Sequence, residues 1–173
     1  MTYALDSEMN LDRGEVLSFM EKGQTAADLV EQSRRLHAVG MDFTFFYLAG
    51  LAGAGAGQDN ARLSAEVFSA CEPTCVLVVT LTPTKTWPLA HDIANGSWAP
   101  ATEIETAQEI RTFIAGLTCA TRVICSHDTD VVRFDGIVPA DQENMLKLMD
   151  ARIPKINEHA ARRMREMIHK ASF

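Results

Sequence analysis

Apolar and polar positions along the chain switch repeatedly between the spacing of a strand and the spacing of a helix. Four short apolar runs, rich in β-branched and aromatic residues, predict strands at 2–5, 41–50, 75–83 and 121–126. Between and after them, apolar residues recur every three or four positions, which predicts helices at 13–23, 25–40, 58–71, 88–96, 102–117, 139–153 and 154–170. This alternation is typical of parallel strands joined by right-handed helical crossovers.

Several of these helices have recognisable first residues. Thr25 with Asp28, and Thr102 with Glu105, have the spacing of a capping box, in which each side chain bonds the backbone N–H of the other residue. Pro154 is placed to open the last helix, because proline is tolerated in a first helical turn.

The pattern predicts an α/β fold: a partial (β/α) barrel, or an open and mainly parallel sheet of about four strands with helices packed outside. The strand at 75–83 is apolar without alternation, so we expect both of its faces to be covered. Four strands are too few for a closed barrel, and an uncovered edge or face is then expected. We therefore expect that part of the domain is missing or is supplied by a second subunit, for example in a homodimer through the open sheet edge.

Composition narrows the classes of partner and compartment. The chain has 173 residues and a net charge of −7, so nucleic acid is not an expected partner. The apolar run at 43–57 is too short and too rich in glycine to span a bilayer, so a membrane is not expected either. Four cysteines in no disulfide-dense pattern, and a first segment without a basic-then-apolar signal, indicate a cytoplasmic protein with reduced thiols.

The first candidate site is the glycine-rich segment after the second strand, with Gly50, Gly53, Gly55 and Gly57. Glycines between a strand and a helix let backbone N–H groups approach a ligand closely, and the helix N-terminus favours anions. In parallel α/β folds ligands bind at this end of the strands. The spacing is not a dinucleotide-binding fingerprint, because Gln58 stands where a further glycine is needed. A tight turn without a ligand is the alternative.

A pair of cysteines has the beginning of a cluster motif. Cys71 and Cys75 have the C-x3-C spacing that opens the C-x3-C-x2-C motif of iron–sulfur enzymes. The third position is Val78, inside a predicted strand, and a cluster needs three thiolates on one loop. We interpret both thiols as packing residues.

A second cysteine segment lies at the end of the last predicted strand. Cys125 and His127 point to the same side of an extended strand, with Asp128 and Asp130 close by, so a metal site or a Cys–His nucleophile pair is one hypothesis. A turn at the strand end, capped by Asp and Ser side chains of this segment, is the interpretation we favour.

The order of these motifs from residue 5 to about 153 resembles the second half of a radical S-adenosylmethionine domain. The stretch "GEVLSFMEKGQTAADLVEQSRRLHAVGMDFTFFYLAGLAGAG" resembles the family's path from a KG-ended helix to a glycine loop. The stretches "VLVVTLTPTKTWPLAHDIANGSWAP" and "SHDTDVVRFDGIVPADQENMLKLMD" resemble the family's next strand end and its closing motif. The family's Glu-Ser-Gly is Asp6-Ser7-Glu8 here, and the cluster-binding cysteine loop is absent.

The resemblance implies roles for particular residues. Asp6 and Ser7 would lie near the ribose or amino-acid end of adenosylmethionine, and Gly50, Gly53 and Gly55 would lie against it. Ser126 and His127 would form a wall on the substrate side. Residues 1–153 would be the partial β/α domain, with 154–173 as a C-terminal helix packed on it.

Three functions follow as hypotheses. The first is the C-terminal portion of a radical S-adenosylmethionine protein, whose intact relative binds adenosylmethionine and a 4Fe–4S cluster, whereas this chain has no cofactor of its own and is not catalytic alone. The second is a cluster-free module that binds a small molecule or dimerises. The third is a hydrolase or metal enzyme centred on Cys125, His127 and Asp128. The small-molecule substrate is not identified by the sequence.

Overall fold

The computed structural model describes residues 3–8, 25–83 and 89–171 of the chain. Within these residues the strands are β1 (Tyr3–Glu8), β2 (Phe43–Ala49), β3 (Cys75–Thr80), β4 (Thr121–Cys125) and β5 (Phe134–Val138). The α-helices are α1 (Ala26–Ala38), α2 (Gly57–Cys71), α3 (Leu89–Asn95), α4 (Glu103–Gly116), α5 (Gln142–Arg152) and α6 (Glu158–Ala171), with a 3-10 turn at Ile153–Lys155. None of the helices in these residues combines the length and apolar character needed to cross a bilayer. The helix predicted at 13–23 lies outside the described residues.

The strands form one sheet in sequence order, β1-β2-β3-β4-β5. The first four are parallel neighbours, and β5 turns back to pair antiparallel with β4, with Thr121 opposite Val138. The predicted α/β class with an open, mainly parallel sheet is confirmed. The sheet has one strand more than predicted, because Asp135 and Gly136 disfavour a strand in isolation, and β5 forms through its pairing with β4.

Both predicted capping boxes are confirmed. Asp28 N–H donates to Thr25 Oγ1 at 3.2 Å, and Thr25 N–H donates to Asp28 Oδ2 at 2.8 Å. The N–H of Glu105 donates to Thr102 Oγ1 at 3.1 Å, and the N–H of Thr102 donates to Glu105 Oε2 at 2.8 Å. These local bonds fix where α1 and α4 begin.

The last helix starts later than predicted. Pro154 lies in the 3-10 turn, and α6 begins at Glu158. The side-chain oxygen of Asn157 accepts a hydrogen bond from the N–H of Ala160 at 3.0 Å. Asn157 therefore caps α6, which is the role that asparagine favours at a helix N-terminus.

The main core lies between the sheet and the helices on one of its faces. Strands in sequence order with right-handed crossovers place their connecting helices on the same side. On this face of β2, Phe43, Phe45 and Tyr47 are fully buried. The ring of Tyr47 stacks on Phe113 of α4 with centroids 4.0 Å apart, and Phe68 of α2 meets the Phe113 ring edge-on at 5.2 Å.

The opposite face of the sheet is less covered. Phe46, Leu77 and Ile124 are neighbours across β2, β3 and β4, and they are half-buried. On the same face of β5, Ile137 is 52% exposed. We call these four residues the open face. Among the described residues, the expected cover on both faces of the third strand is complete on one face and partial on the other, since β3 alternates between buried and half-buried side chains.

Candidate functional site

The ends of the parallel strands meet at one edge of the sheet, which we call the carboxyl edge. At this edge β2 continues into Gly50, β3 ends at Thr80 and β4 ends at Cys125. Ligands of parallel α/β folds bind at this edge, because the loops that follow the strands converge there. The loops at 50–56 and 126–133 contain those predicted site residues whose side chains the structure describes.

The glycine loop is bonded to two carboxylates of α4. The N–H of Gly50 donates to Oε2 of Glu109 at 3.0 Å, and that of Gly55 donates to Oε1 of Glu105 at 3.2 Å. The N–H of Gly53 donates to the carbonyl oxygen of Gly50 at 3.1 Å. The structure places all three predicted glycines together at the carboxyl edge, with these N–H groups bonded to oxygen atoms of the chain itself. Their contact with a cofactor stays a prediction.

Glu109 is fully buried behind this loop although it is an acidic residue. The hydroxyl of Tyr47 donates to its Oε1 at 2.9 Å. Burial raises the pKa of Glu109 to about 7, against smaller lowering effects of the hydrogen bonds from Tyr47 and Gly50. Asn60 lies close enough to lower this pKa slightly, but its amide nitrogen and oxygen make no hydrogen bond of normal geometry. A carboxyl group with such a pKa holds or releases a proton near neutral pH, as general acids and bases do.

A small cavity of about 120 Å³ lies against Glu109 and is lined by Gly53, Gly55 and Gly57. It has room for a few water molecules and is smaller than ordinary substrate sites. A Cβ atom on Gly57 would lie 2.5 Å from Oε2 of Glu109, so glycine here makes space for the carboxylate. Glu109 was not predicted from the sequence; its signal is an acidic residue four positions before Phe113, on the buried side of the predicted helix.

Gly53→Ala is expected to destabilise the protein more than Gly55→Ala. Both glycines have φ of 78°, which costs alanine about 1 kcal/mol. At Gly53 the added Cβ would also lie 2.8 Å from both the Ala99 carbonyl oxygen and Nε1 of Trp98, whereas at Gly55 it meets nothing within 4 Å. We expect losses of about 2 and about 1 kcal/mol in urea denaturation at one pH. Equal losses would contradict the close packing of this loop.

Ser126 and His127 directly follow β4, and both are exposed at the carboxyl edge. Nδ1 of His127 lies 2.8 Å from Oγ1 of Thr129, within hydrogen-bond distance. The ring is therefore oriented by its own loop. Contact of Ser126 and His127 with a substrate stays a prediction.

Asp130 links this loop to the end of β3. Its Oδ1 accepts hydrogen bonds from the N–H of Thr80 at 3.2 Å and from the Thr80 hydroxyl at 2.8 Å, and its Oδ2 accepts one from the N–H of His127 at 2.8 Å. Asp130 is 6% exposed, and burial raises its pKa against the lowering effect of these bonds. It is thus a positioning residue for His127. An aspartate cap of this turn was predicted from the sequence, whereas the bonds of Asp130 to Thr80 of β3 were not.

Helix α6 reaches the same edge through Arg165. Its Nη1 donates to the Leu81 carbonyl oxygen at 2.9 Å, and its Nη2 forms an ion pair with Glu103 of α4. Burial raises the pKa of Glu103 and lowers that of Arg165, and their mutual attraction opposes both shifts. The carboxylate of Glu158 also accepts a hydrogen bond from the N–H of Glu103 at 2.7 Å. This places its negative charge at the N-terminus of α4, where the helix dipole stabilises it. No sequence pattern predicts these contacts.

The four cysteines do not fit an iron–sulfur cluster. Cys71, Cys119 and Cys125 are buried, Cys75 is half-buried, and all four are free thiols. Burial raises the pKa of each thiol, and the Cys125 thiol donates to the Val132 carbonyl oxygen at 3.2 Å. A cluster needs three thiolates on one loop, and among the described residues these thiols form no such group. A Cys125 thiol with a raised pKa and a hydrogen bond to a carbonyl oxygen likewise does not support the hydrolase hypothesis. In the part of the chain that the structure describes, no three His, Cys, Asp or Glu side chains form a potential metal site.

The two remaining predicted residues, Asp6 and Ser7, lie in β1. The parallel pairing of β1 with β2 is irregular between Ala4 and Glu8, so both residues lie at a break in the ladder. Their side chains lie outside what the structure describes, and their role in binding adenosylmethionine stays a prediction.

Compared with known proteins, the chain matches no protein-family model, no curated protein and no solved structure.

Proposed function

We propose that this chain supplies one wall of a (β/α) barrel of the radical S-adenosylmethionine type, facing the substrate and adenosylmethionine, and that it is not catalytic alone. The observation that carries the proposal is that, among the described residues, the second face of the sheet is only partly covered. In such barrels parallel strands follow one another in sequence order, helices lie outside, and the inner face is closed by the remaining strands. The first four strands here have this order and direction.

The open face has the character of an inner wall. Phe46, Leu77 and Ile124 form a half-buried apolar row across three parallel strands. Beside them Arg122 and Asp135 form a two-bond ion pair with N–O distances of 2.9 and 2.6 Å. Apolar surface left in water gains about 25 cal/mol for each Å² that a partner covers, so this row favours further strands against it.

Towards the carboxyl edge the same face is already packed. Leu48 and Val79 continue the row, and they pack with Leu81, Leu89 and Trp98 in a second small core. This packing supports a preformed wall beside the glycine loop, where the resemblance places adenosylmethionine. The substrate remains an unidentified small molecule under this proposal.

No cluster step is assigned to this chain, because its thiols do not fit the cluster. When bound to an intact relative, a 4Fe–4S cluster supplies the electron that splits adenosylmethionine. Under this proposal the cluster loop belongs to another segment or polypeptide that closes the open face. The four free thiols are consistent with a reducing compartment, and we propose the cytoplasm.

The coding DNA on the 5′ side of the Met1 codon tests the proposal directly. We expect a C-x3-C-x2-C motif, followed by predicted β/α units, in the same reading frame or in an adjacent gene. A gene neighbourhood without such a motif would contradict the proposal and favour the cluster-free module.

Calorimetry with adenosylmethionine tests the same proposal in solution. One wall of a barrel makes few of the contacts of the closed site, so we expect this chain alone to bind with a dissociation constant above about 1 mM. Comparison of Phe46→Ser with the unchanged chain shows whether any heat of binding arises at the open face. Micromolar binding by the chain alone would contradict the wall proposal and favour the small-molecule-binding module.

A further inference from the structure

We propose that a cleft between the β4–β5 loop and the C-terminal helices binds small organic anions with an apolar body, with either a carboxylate or a phosphate head. The cleft has a volume of about 870 Å³, within the range of small-molecule sites. It is formed by the loop at 128–133, the end of α5 with the following 3-10 turn, and the first half of α6. It shares no residue with the open face, so this inference does not rest on the proposed function.

The cleft concentrates positive charge in an acidic protein. Arg133, Arg152, Lys155 and Arg165 line it, whereas the whole chain has a net charge of −7. Arg152 and Lys155 are exposed, and neither forms an ion pair or hydrogen bond within the described residues. These two side chains come from the end of α5 and the turn after it. Because they have no partner among the described residues, both are available to pair with one anion.

The two acids that line the cleft, Asp128 and Asp130, already form an ion pair or hydrogen bonds with other residues. Asp128 pairs with Arg133 at 3.1 Å. Both oxygens of Asp130 accept hydrogen bonds, one from β3 and one from within the loop. Neither acid neutralises Arg152 or Lys155. The anionic head group of a ligand would therefore supply the negative charge that pairs with these two cations.

Apart from Thr129 and Asn157, the rest of the wall is apolar. Met164 is 57% exposed and Val131 is 37% exposed at the cleft, and Leu148 and Ile156 are half-buried beside them. Large apolar side chains exposed together next to cations favour a ligand that has both an apolar body and a charged head. A bare inorganic anion uses the cations alone, and a neutral alkyl chain uses the apolar wall alone.

Titration of the ¹⁵N-labelled full chain with octanoate and with octyl phosphate tests the proposal. We expect saturable amide shifts within 128–133 and 152–165, and binding of either head group supports the site. The double variant Arg152→Gln/Lys155→Gln is expected to bind about tenfold more weakly, since it removes both exposed ion pairs with the ligand's head group. Both side chains are exposed, so the fold should persist. Arg34→Gln/Arg35→Gln on α1 makes the same charge change elsewhere and is expected to leave the affinity unchanged.

A second variant separates the apolar contribution. Met164→Ser is expected to weaken octanoate several-fold and to leave weak binding of inorganic phosphate unchanged, and Met164→Leu should restore octanoate binding. The proposal is overturned if octanoate and octyl phosphate give no saturable shifts, or if their shifts fall on the open face. It is also overturned if octyltrimethylammonium binds as tightly as octanoate, or if Arg152→Gln/Lys155→Gln leaves affinity unchanged.

Discussion

Glu109→Gln is expected to remove about 3 kcal/mol of pH dependence from the free energy of unfolding. The pKa of Glu109 rises from an ordinary value of 4.5 to about 7 on folding, with burial as the main cause. Between these pH values the folded chain binds more protons at this group than the unfolded chain, so stability falls as pH rises from about 4.5 to about 7. Glutamine keeps the shape and does not titrate. Its oxygen can accept from Gly50, and its amide can donate to Tyr47.

The measurement is urea denaturation of both proteins at a series of pH values from 4 to 8. The other carboxylates cancel in the difference between the two curves, so the difference isolates Glu109. It should increase in favour of the variant up to about pH 7 and then become constant. Glu66→Gln, which changes an exposed acid on α2, should give a flat difference. A flat difference for Glu109→Gln as well would mean that this carboxyl is not ionised at a shifted pKa in the folded chain.

Asp130→Ala is expected to destabilise the protein by about 3 kcal/mol, because it removes the acceptor of three buried or partly buried hydrogen bonds. The N–H and hydroxyl of Thr80 and the N–H of His127 then lose their partner. The stability of Asp130→Asn should lie between that of Asp130→Ala and that of the unchanged chain. Its oxygen can still accept from Thr80, but its amide group faces the N–H of His127.

Asp128→Ala is the matched control in the same loop. The Asp128 side chain is 74% exposed and pairs with Arg133 on the surface, so we expect a loss below about 1 kcal/mol. Amide hydrogen exchange should show faster exchange at Thr80 and His127 in Asp130→Ala, with little change in the control. Similar stabilities for the two alanine variants would refute the role of Asp130 as the link between β3 and the β4–β5 loop.

Some features of the fold follow from local chemistry and could be read from the sequence. The capping boxes at Thr25 and Thr102 depend on residues three positions apart, and the parallel strands depend on short runs of β-favouring residues. Strand β5 could not be predicted in this way, since its stability comes from the neighbouring strand. The start of α6 at Glu158 was also missed, because Pro154 gives the stronger local signal.

The candidate site divides in the same way. The sequence determined that glycines follow β2 and that Ser126 and His127 follow β4, since a strand end is a local property. It could not determine that Glu109 bonds to Gly50, 59 residues away, or that Arg165 bonds to Leu81, 84 residues away. Such residues come into contact only when the helices pack against the sheet. Their pKa shifts arise from burial that exists only in the folded chain.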